Sequence, residues 1–299
     1  MIRQLLALAL TAFILSAPTA GAKTFAEMFP QLAGMEAGDE RSFLESLDYK
    51  QGKIALTGGF AELQVPEGYY FLGPEHAEKV LSEGWGNPPD EELPLGMIFP
   101  ADITPLDAGS WAVEITWDEL GYVSDEDADE VDYDDLLAEL RSDTKAGNQW
   151  LAENGYETIE LIGWAAAPHY DPVGRRLHWA KELKFGDSEV NTLNYNMRVL
   201  GRKGVLVMNF IADMDALPDV EAALPDVLAL ASFRDGSRYA DFDPSIDTLA
   251  AVGIGGLIAG KVLAKTGFLV MALLFLKKGW ILIVLALGAG WRFLTGRNA

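Results

Sequence analysis

The residues best able to do chemistry lie around one expected turn and in one run of carboxylates. In "ELIGWAAAPHYDPVGRRLHWAKELKF" two β-rich stretches flank Asp171-Pro-Val-Gly174. With Val173-Gly174 as a two-residue hairpin loop, Pro172 pairs with Arg175 and His169 falls opposite His178. Asp171 then faces Arg176 on the same side. Two imidazoles and a carboxylate on one face could begin a divalent-metal site. The neighbouring arginine opposes a cation, and no fourth ligand is evident. An ordinary hairpin edge accounts for the same residues.

The second candidate is "SDEDADEVDYDDLLAELR", where eight of the first twelve residues are acidic. Asp125, Asp127 and Asp129 match positions 1, 3 and 5 of an EF-hand loop. Position 6 needs a glycine for the turn and has Glu130, and position 12 needs a bidentate glutamate and has Leu136. The match fails where calcium geometry is most demanding. Carboxylates favour the positive end of a helix dipole, and Leu136, Leu137, Leu140 and Trp150-Leu151 fit one helix face. The run is therefore read as a solvated helix start, with a partner contact as the alternative.

Other chemistry finds little support. The chain has no cysteine. Ser110 and Ser188 lie outside a G-x-S-x-G elbow, and there is no phosphate loop, dinucleotide fingerprint or H-E-x-x-H. No cofactor is expected. Trp85, Trp111, Trp117, Trp150, Trp164 and Trp179 are read as core, with an aromatic ligand cleft as the alternative.

The elements that must position these residues can be read from periodicity. Residues 23–53 read as a helical N-terminal extension, and Gly58-Gly59 breaks the next stretch. A strand through Tyr69–Leu72 precedes a helix with Pro74 in its first turn. Gly96–Pro100 and Trp111–Trp117 are short β-rich runs. After the acidic run and its helix, two successive hairpins give a four-stranded antiparallel meander. Its third strand, "TLNYNMRVL", puts Leu193, Tyr195, Met197 and Val199 on one face and Thr192, Asn194, Asn196 and Arg198 on the other. A last helix carries Leu217, Val220, Leu224 and Val227, with a kink expected at Pro225. The fold class is α+β, an antiparallel sheet packed with flanking helices, plus C-terminal transmembrane helices.

The chain ends bear on location. Arg3, the apolar run Leu5–Leu15 and Ala20-Gly21-Ala22 read as a signal peptide over residues 1–22, cleaved before Lys23. Residues 249–299 contain no acid and read as a membrane-anchoring region of one or two helices, near 249–264 and 268–291. Gly256 and Gly260 form a GxxxG that lets helix backbones approach, within this chain or between copies. Sixteen of the 23 basic residues and all 45 acidic ones lie in 23–248, a net charge of −29. That charge argues against nucleic acid and against docking flat on anionic lipid.

Several segments together resemble a known family: "VPEGYYFLGPEHAEKVL", "GMIFPAD", "GYVSDEDADEVDYDDLL", "GWAAAPHYDP", "LHWAKELKF", "LNYNMRVLGRKGVLVMN" and "RYADFDPSIDTLAAVGIGGLIAG". They are similar to a bacterial family of membrane-anchored proteins known as domain of unknown function 2167. The resemblance runs from about Ile54 to the C-terminus. It implies a signal peptide, an exported domain (residues 54–248) and C-terminal membrane helices, and it brings no assigned activity or catalytic residue. The order of strands and final helix also resembles small sheet domains of the PsbP/Mog1 type, at the level of fold alone. The reading is a binding or interaction module of the cell envelope, held at the bacterial inner membrane with an envelope protein as its expected partner. The alternative is an envelope-associated hydrolase.

Overall fold

The computed structural model describes residues 21–87, 92–107, 110–153 and 157–260. The expected signal peptide up to residue 20 and the second expected membrane span lie outside them. The N-terminal part comprises β1 (Ala22–Lys23), α1 (Phe25–Met28), α2 (Asp39–Glu45), β2 (Tyr49–Lys50), β3 (Gly52–Ala55), β4 (Ala61–Val65), β5 (Tyr69–Leu72), α3 (Pro74–Lys79) and β6 (Gly96–Pro100). There follow β7 (Ala112–Asp118), α4 (Tyr133–Glu153), β8 (Ile159–Asp171), β9 (Arg176–Phe185), β10 (Thr192–Leu200) and β11 (Val205–Asp213). The last are α5 (Leu217–Leu230), β12 (Ala231–Phe233) and α6 (Ile254–Ala259).

Nine strands form one antiparallel sheet in the order β1-β2-β5-β6-β7-β11-β10-β9-β8, and a second sheet has the order β12-β4-β3. The expected meander is the run β8 to β11. One face of the large sheet is apolar, with Val113, Ile115, Leu193, Tyr195, Met197, Leu206, Met208 and Phe210 buried beneath α5 and the small sheet. The helix α5 runs through Pro225 without interruption.

The opposite face carries two large apolar clusters and a smaller one, in which Leu151 of α4 packs with Ile159, Leu161, Leu183 and Phe185. Phe25, Phe29, Leu44, Leu47 and Tyr49 pack with Tyr70, Leu72, Met97 and Phe99 over one half. The segment expected as a helical extension is thus part of the folded body. Over the other half, Leu177, Trp179, Leu200, Val205 and Val207 pack with Leu136 of α4 and with Ile254, Leu257 and Ile258 of α6.

The acidic run corrects the expectation made of it. Only Asp134 and Asp135 lie in the first turn of α4, where Asp132 Oδ1 accepts from both their N–H groups at 3.0 Å. The preceding acids form turns, and two of them reach across the chain. Asp127 accepts from the N–H of Ile254 at 2.9 Å and of Gly255 at 3.2 Å. It thereby satisfies backbone donors that open α6, a helix whose own N-cap, Gly253, has no side chain to do so. A Cβ on Gly253 would stand 2.4 Å from Asp127 Oδ1, so glycine is what permits the approach.

The first expected membrane span is also corrected over its described part. Tyr122 N–H donates to Thr248 O and Ala250 N–H to Tyr122 O, both at 2.8 Å, seating the chain alongside Tyr122. The helix α6 ends after six residues at Gly260, whose φ of 68° is left-handed. Its apolar side chains face the sheet domain. Among the described residues no helix is long and apolar enough to cross a membrane.

Replacing Asp127 with alanine should lower stability by about 1–2 kcal/mol, the value of a lost charged cap. Proteolysis within 245–260 should accelerate with it. Asp129, which is exposed, should cost under about 0.5 kcal/mol. Equal losses in chemical denaturation would refute this role for Asp127.

Candidate functional site

Between the two large apolar clusters of the second sheet face lies a polar floor. Strand pairing builds it in rows. Glu114 of β7 pairs with Asn209 of β11, which pairs with Asn196 of β10, which pairs with Trp179 of β9. In the next row Asn194 pairs with Lys181 of β9. Arg198 lies two residues from Asn196, on the same face as Asn194. These positions sit on inner strands, with neighbours on both sides, where apolar side chains are the rule.

Arg198 and Asn196 are buried, 9% and 6% exposed. Arg198 Nη1 donates to Met197 O at 2.8 Å and to Asn209 Oδ1 at 2.9 Å. Its guanidinium lies over the Trp179 ring, 5.1 Å from the centroid. Asn196 Nδ2 donates to Asn194 O at 3.0 Å and Oδ1 at 2.8 Å. Trp179 is itself buried, and its Nε1 has no hydrogen-bond partner among the described residues. Asp118 and Glu114 of β7 are the carboxylates whose charge acts on Arg198.

Burial disfavours the charged forms. It pushes Lys181 down to about 8, and neighbouring Arg198 adds to the shift. Burial likewise lowers Arg198 to about 10, opposed by Asp118 and Glu114. On β7, burial raises the carboxyl of Asp118, opposed by Arg198. Cations thus occupy β10 and β9, two and three strands from β7, which carries the carboxylates. What the floor offers is donors: an ammonium, a fixed guanidinium and an indole N–H. Such donors complement a carboxylate or phosphate.

The residues singled out from sequence stand elsewhere. His169 does face His178, and Asp171 faces Arg176, as the hairpin register required. The imidazole centroids are 5.3 Å apart. His178 points to the apolar face, with Nδ1 3.1 Å from the Tyr195 hydroxyl. Burial lowers its pKa, with His169 adding. Asp171 closes the turn instead of joining the imidazoles. The Gly174 and Val173 N–H groups hold its carboxyl below the usual range. No group of three His, Cys, Asp or Glu residues is gathered for a metal among the described residues. Gly256 and Gly260 sit on and just after α6, and a Cβ on Gly256 would meet Val252 at 2.7 Å. Sequence reasoning missed Lys181, Arg198 and Asn209 as a group. The available signal was Asn209 inside the otherwise apolar "VLVMNFI".

A family model described as "Protein of unknown function (DUF2167)" matches residues 48–288. No curated protein matches the chain. Among solved structures, the cyanobacterial PsbP (CyanoP) from Synechocystis sp. PCC 6803 is similar at 13% identity, covering 61% of this chain and 91% of that one. The TM-score is 0.34, and no argument rests on that likeness.

The depressed pKa of Lys181 has a signed consequence. Between about 8 and its unfolded value of about 10.4, the unfolded chain binds more protons at this site, so stability rises with pH. Lys181→Met should therefore be more stable than the parent at pH 7, by on the order of 1–3 kcal/mol. The gap should narrow as pH climbs to 9.5. Urea denaturation of both proteins at several pH values checks it, and a pH-independent gap would refute it.

Proposed function

This chain belongs to the DUF2167 family, and from that premise we propose that it is a binding module of the cell envelope whose sheet floor holds an anionic group. The single observation that carries the reading is the buried Arg198 guanidinium, held by Asn209 over Trp179 with Lys181 beside it. A buried cation costs stability, and such costs concentrate where ligands bind. Asn209 and Trp179 hold the guanidinium in place before any ligand arrives. Preorganisation of this kind reduces the entropy lost on binding.

The location is part of the same reading. A leader-like N-terminus would export the domain, and the apolar tail from residue 261, with six basic residues and no acid, would tether it to the inner membrane. The ligand class is then an envelope molecule bearing a carboxylate or phosphate. Lys181 loses its proton near pH 8. It stands beside Arg198 as a second donor on the floor.

Titrating sodium citrate and sodium phosphate into the detergent-solubilised full chain at constant ionic strength should change tryptophan fluorescence saturably, because Trp179 underlies Arg198. Arg198→Met should weaken that response about tenfold or more, equivalent to about 1.4 kcal/mol. Saturation that survives unchanged in Arg198→Met, or no saturable response to either anion, would overturn the assignment.

A further inference from the structure

A cleft of about 870 Å³ opens between the β8–β9 hairpin tip, the ends of β9 and β10, the strand β12 and the turn at Arg238–Ala240. Lys53, Arg175, Arg176, Arg234 and Arg238 line it, against two acids, Glu62 and Asp235. Five of the sixteen cations of a region with net charge −29 therefore meet in one place.

These cations differ in how they are held. Arg175 has a φ of 53°, the left-handed region that a non-glycine residue adopts at a cost. Its guanidinium stacks on Tyr239, 4.7 Å from the ring centroid, and pairs with Asp125. Asp125 is in turn fixed by the hydroxyls of Tyr170 at 2.7 Å and Tyr239 at 2.9 Å. Arg176 Nε is buried with no hydrogen-bond partner among the described residues. Lys53 and Arg234 share Glu62, at 2.8 and 3.3 Å, and Arg238 pairs with the exposed Asp235. Exposed pairs of this kind contribute little and exchange readily for a stronger anion.

Position identifies the anion. Tyr239 lines the cleft and also packs with Ile254, Leu257 and Ile258 of α6. Tyr239 thus belongs both to the cleft wall and to the apolar cluster that buries the last described helix, after which the chain enters its apolar tail. Val173 at the hairpin tip is 93% exposed, and Ile246 and Leu249 on the approach to α6 are 72% and 62% exposed. Exposed apolar side chains beside a basic cleft suit the boundary between headgroups and acyl chains. We propose that this cleft docks the phosphate headgroup of an anionic lipid in the bilayer that holds the tail. The proposal rests on the tether of the preceding section and is independent of the sheet floor. The net charge still forbids flat docking, and the contact is one cleft wide.

The chain has no cysteine, so Val173→Cys gives one labelling point for an environment-sensitive fluorophore. The labelled full chain is placed in nanodiscs of phosphatidylcholine alone or with roughly 30% phosphatidylglycerol. Phosphatidylglycerol should shift the fluorophore to the blue. Arg176→Glu, and independently the exposed Arg234→Glu, should reduce the shifted fraction about fivefold or more. Lys145→Glu, at an exposed cation on α4 outside the cleft, should leave it unchanged. Inorganic phosphate and hexaglutamate, added to phosphatidylcholine discs, test a free phosphate and an acidic peptide as occupants. A saturable response to either with no effect of phosphatidylglycerol would overturn the lipid assignment. A chain that co-elutes with phosphatidylcholine discs yet shows no shift overturns the docking site alone. A chain that fails to co-elute overturns the tether, and the bilayer placement with it.

Discussion

The carboxylate of Asp125 is where three distant parts of the chain meet. It accepts from Tyr170 on β8, from Tyr239 beyond β12 and from Arg175 at the hairpin turn. Burial would raise its pKa, but the two tyrosine hydroxyls and Arg175 outweigh burial and hold it below the usual range. The stability it contributes is therefore present above the unfolded value of about 3.9 and is lost as pH falls through the folded value. Two residues on, Asp127 fastens the start of α6. Together they close the C-terminal segment over the sheet, and without them Leu257 and Ile258 would have no fixed face to cover.

The polar floor is a different kind of constraint, because it works against stability. A sheet whose second face were apolar from β5 to β9 would merge its two large clusters into one core. Instead Asn196, Arg198 and Asn209 stand between them. Replacing a buried ion by an apolar side chain is often neutral or stabilising. A floor built from Arg, Lys and Asn on inner strands is thus better explained by what it holds than by what it stabilises. The same strands show the contrast directly, since the odd positions of β10 bury Leu193, Tyr195 and Met197.

Much of the architecture was legible because it follows local periodicity. The meander, the apolar face of β10, the helix from Tyr133 and the facing of His169 and His178 all follow from period-2 or period-3.6 patterns and one turn. The site was less legible. Alternation marks Asn194, Asn196 and Arg198 as the other face of β10, but it says nothing of what covers that face. The burial of Arg198 depends on Trp179 and Asn209, which come from separate strands. The acidic run failed for the same reason. Its composition is that of a solvated helix start, whereas Asp125 and Asp127 act through partners 45 to 128 residues away.

The stretch 249–260 shows why hydropathy alone misplaced a boundary. Burial in a protein core and burial in a bilayer draw on the same transfer free energy, so Ile254, Leu257 and Ile258 satisfy either reading. What separates the two is the backbone. A membrane helix must hydrogen-bond continuously along its span. Here the Tyr122 backbone pairs with residues 248–250, Asp127 supplies acceptors at the helix start and Gly260 turns left-handed at its end. Each contact satisfies backbone groups that an isolated span would satisfy within itself. Any crossing of a bilayer must then begin after Gly260, so the longest uncharged runs left for it are Thr266–Leu276 and Gly279–Trp291, separated by Lys277-Lys278. Neither run alone reaches the ~20 residues that one span requires, so a single helix would have to carry both lysines within it. Long lysine side chains can reach from such a helix toward an interface.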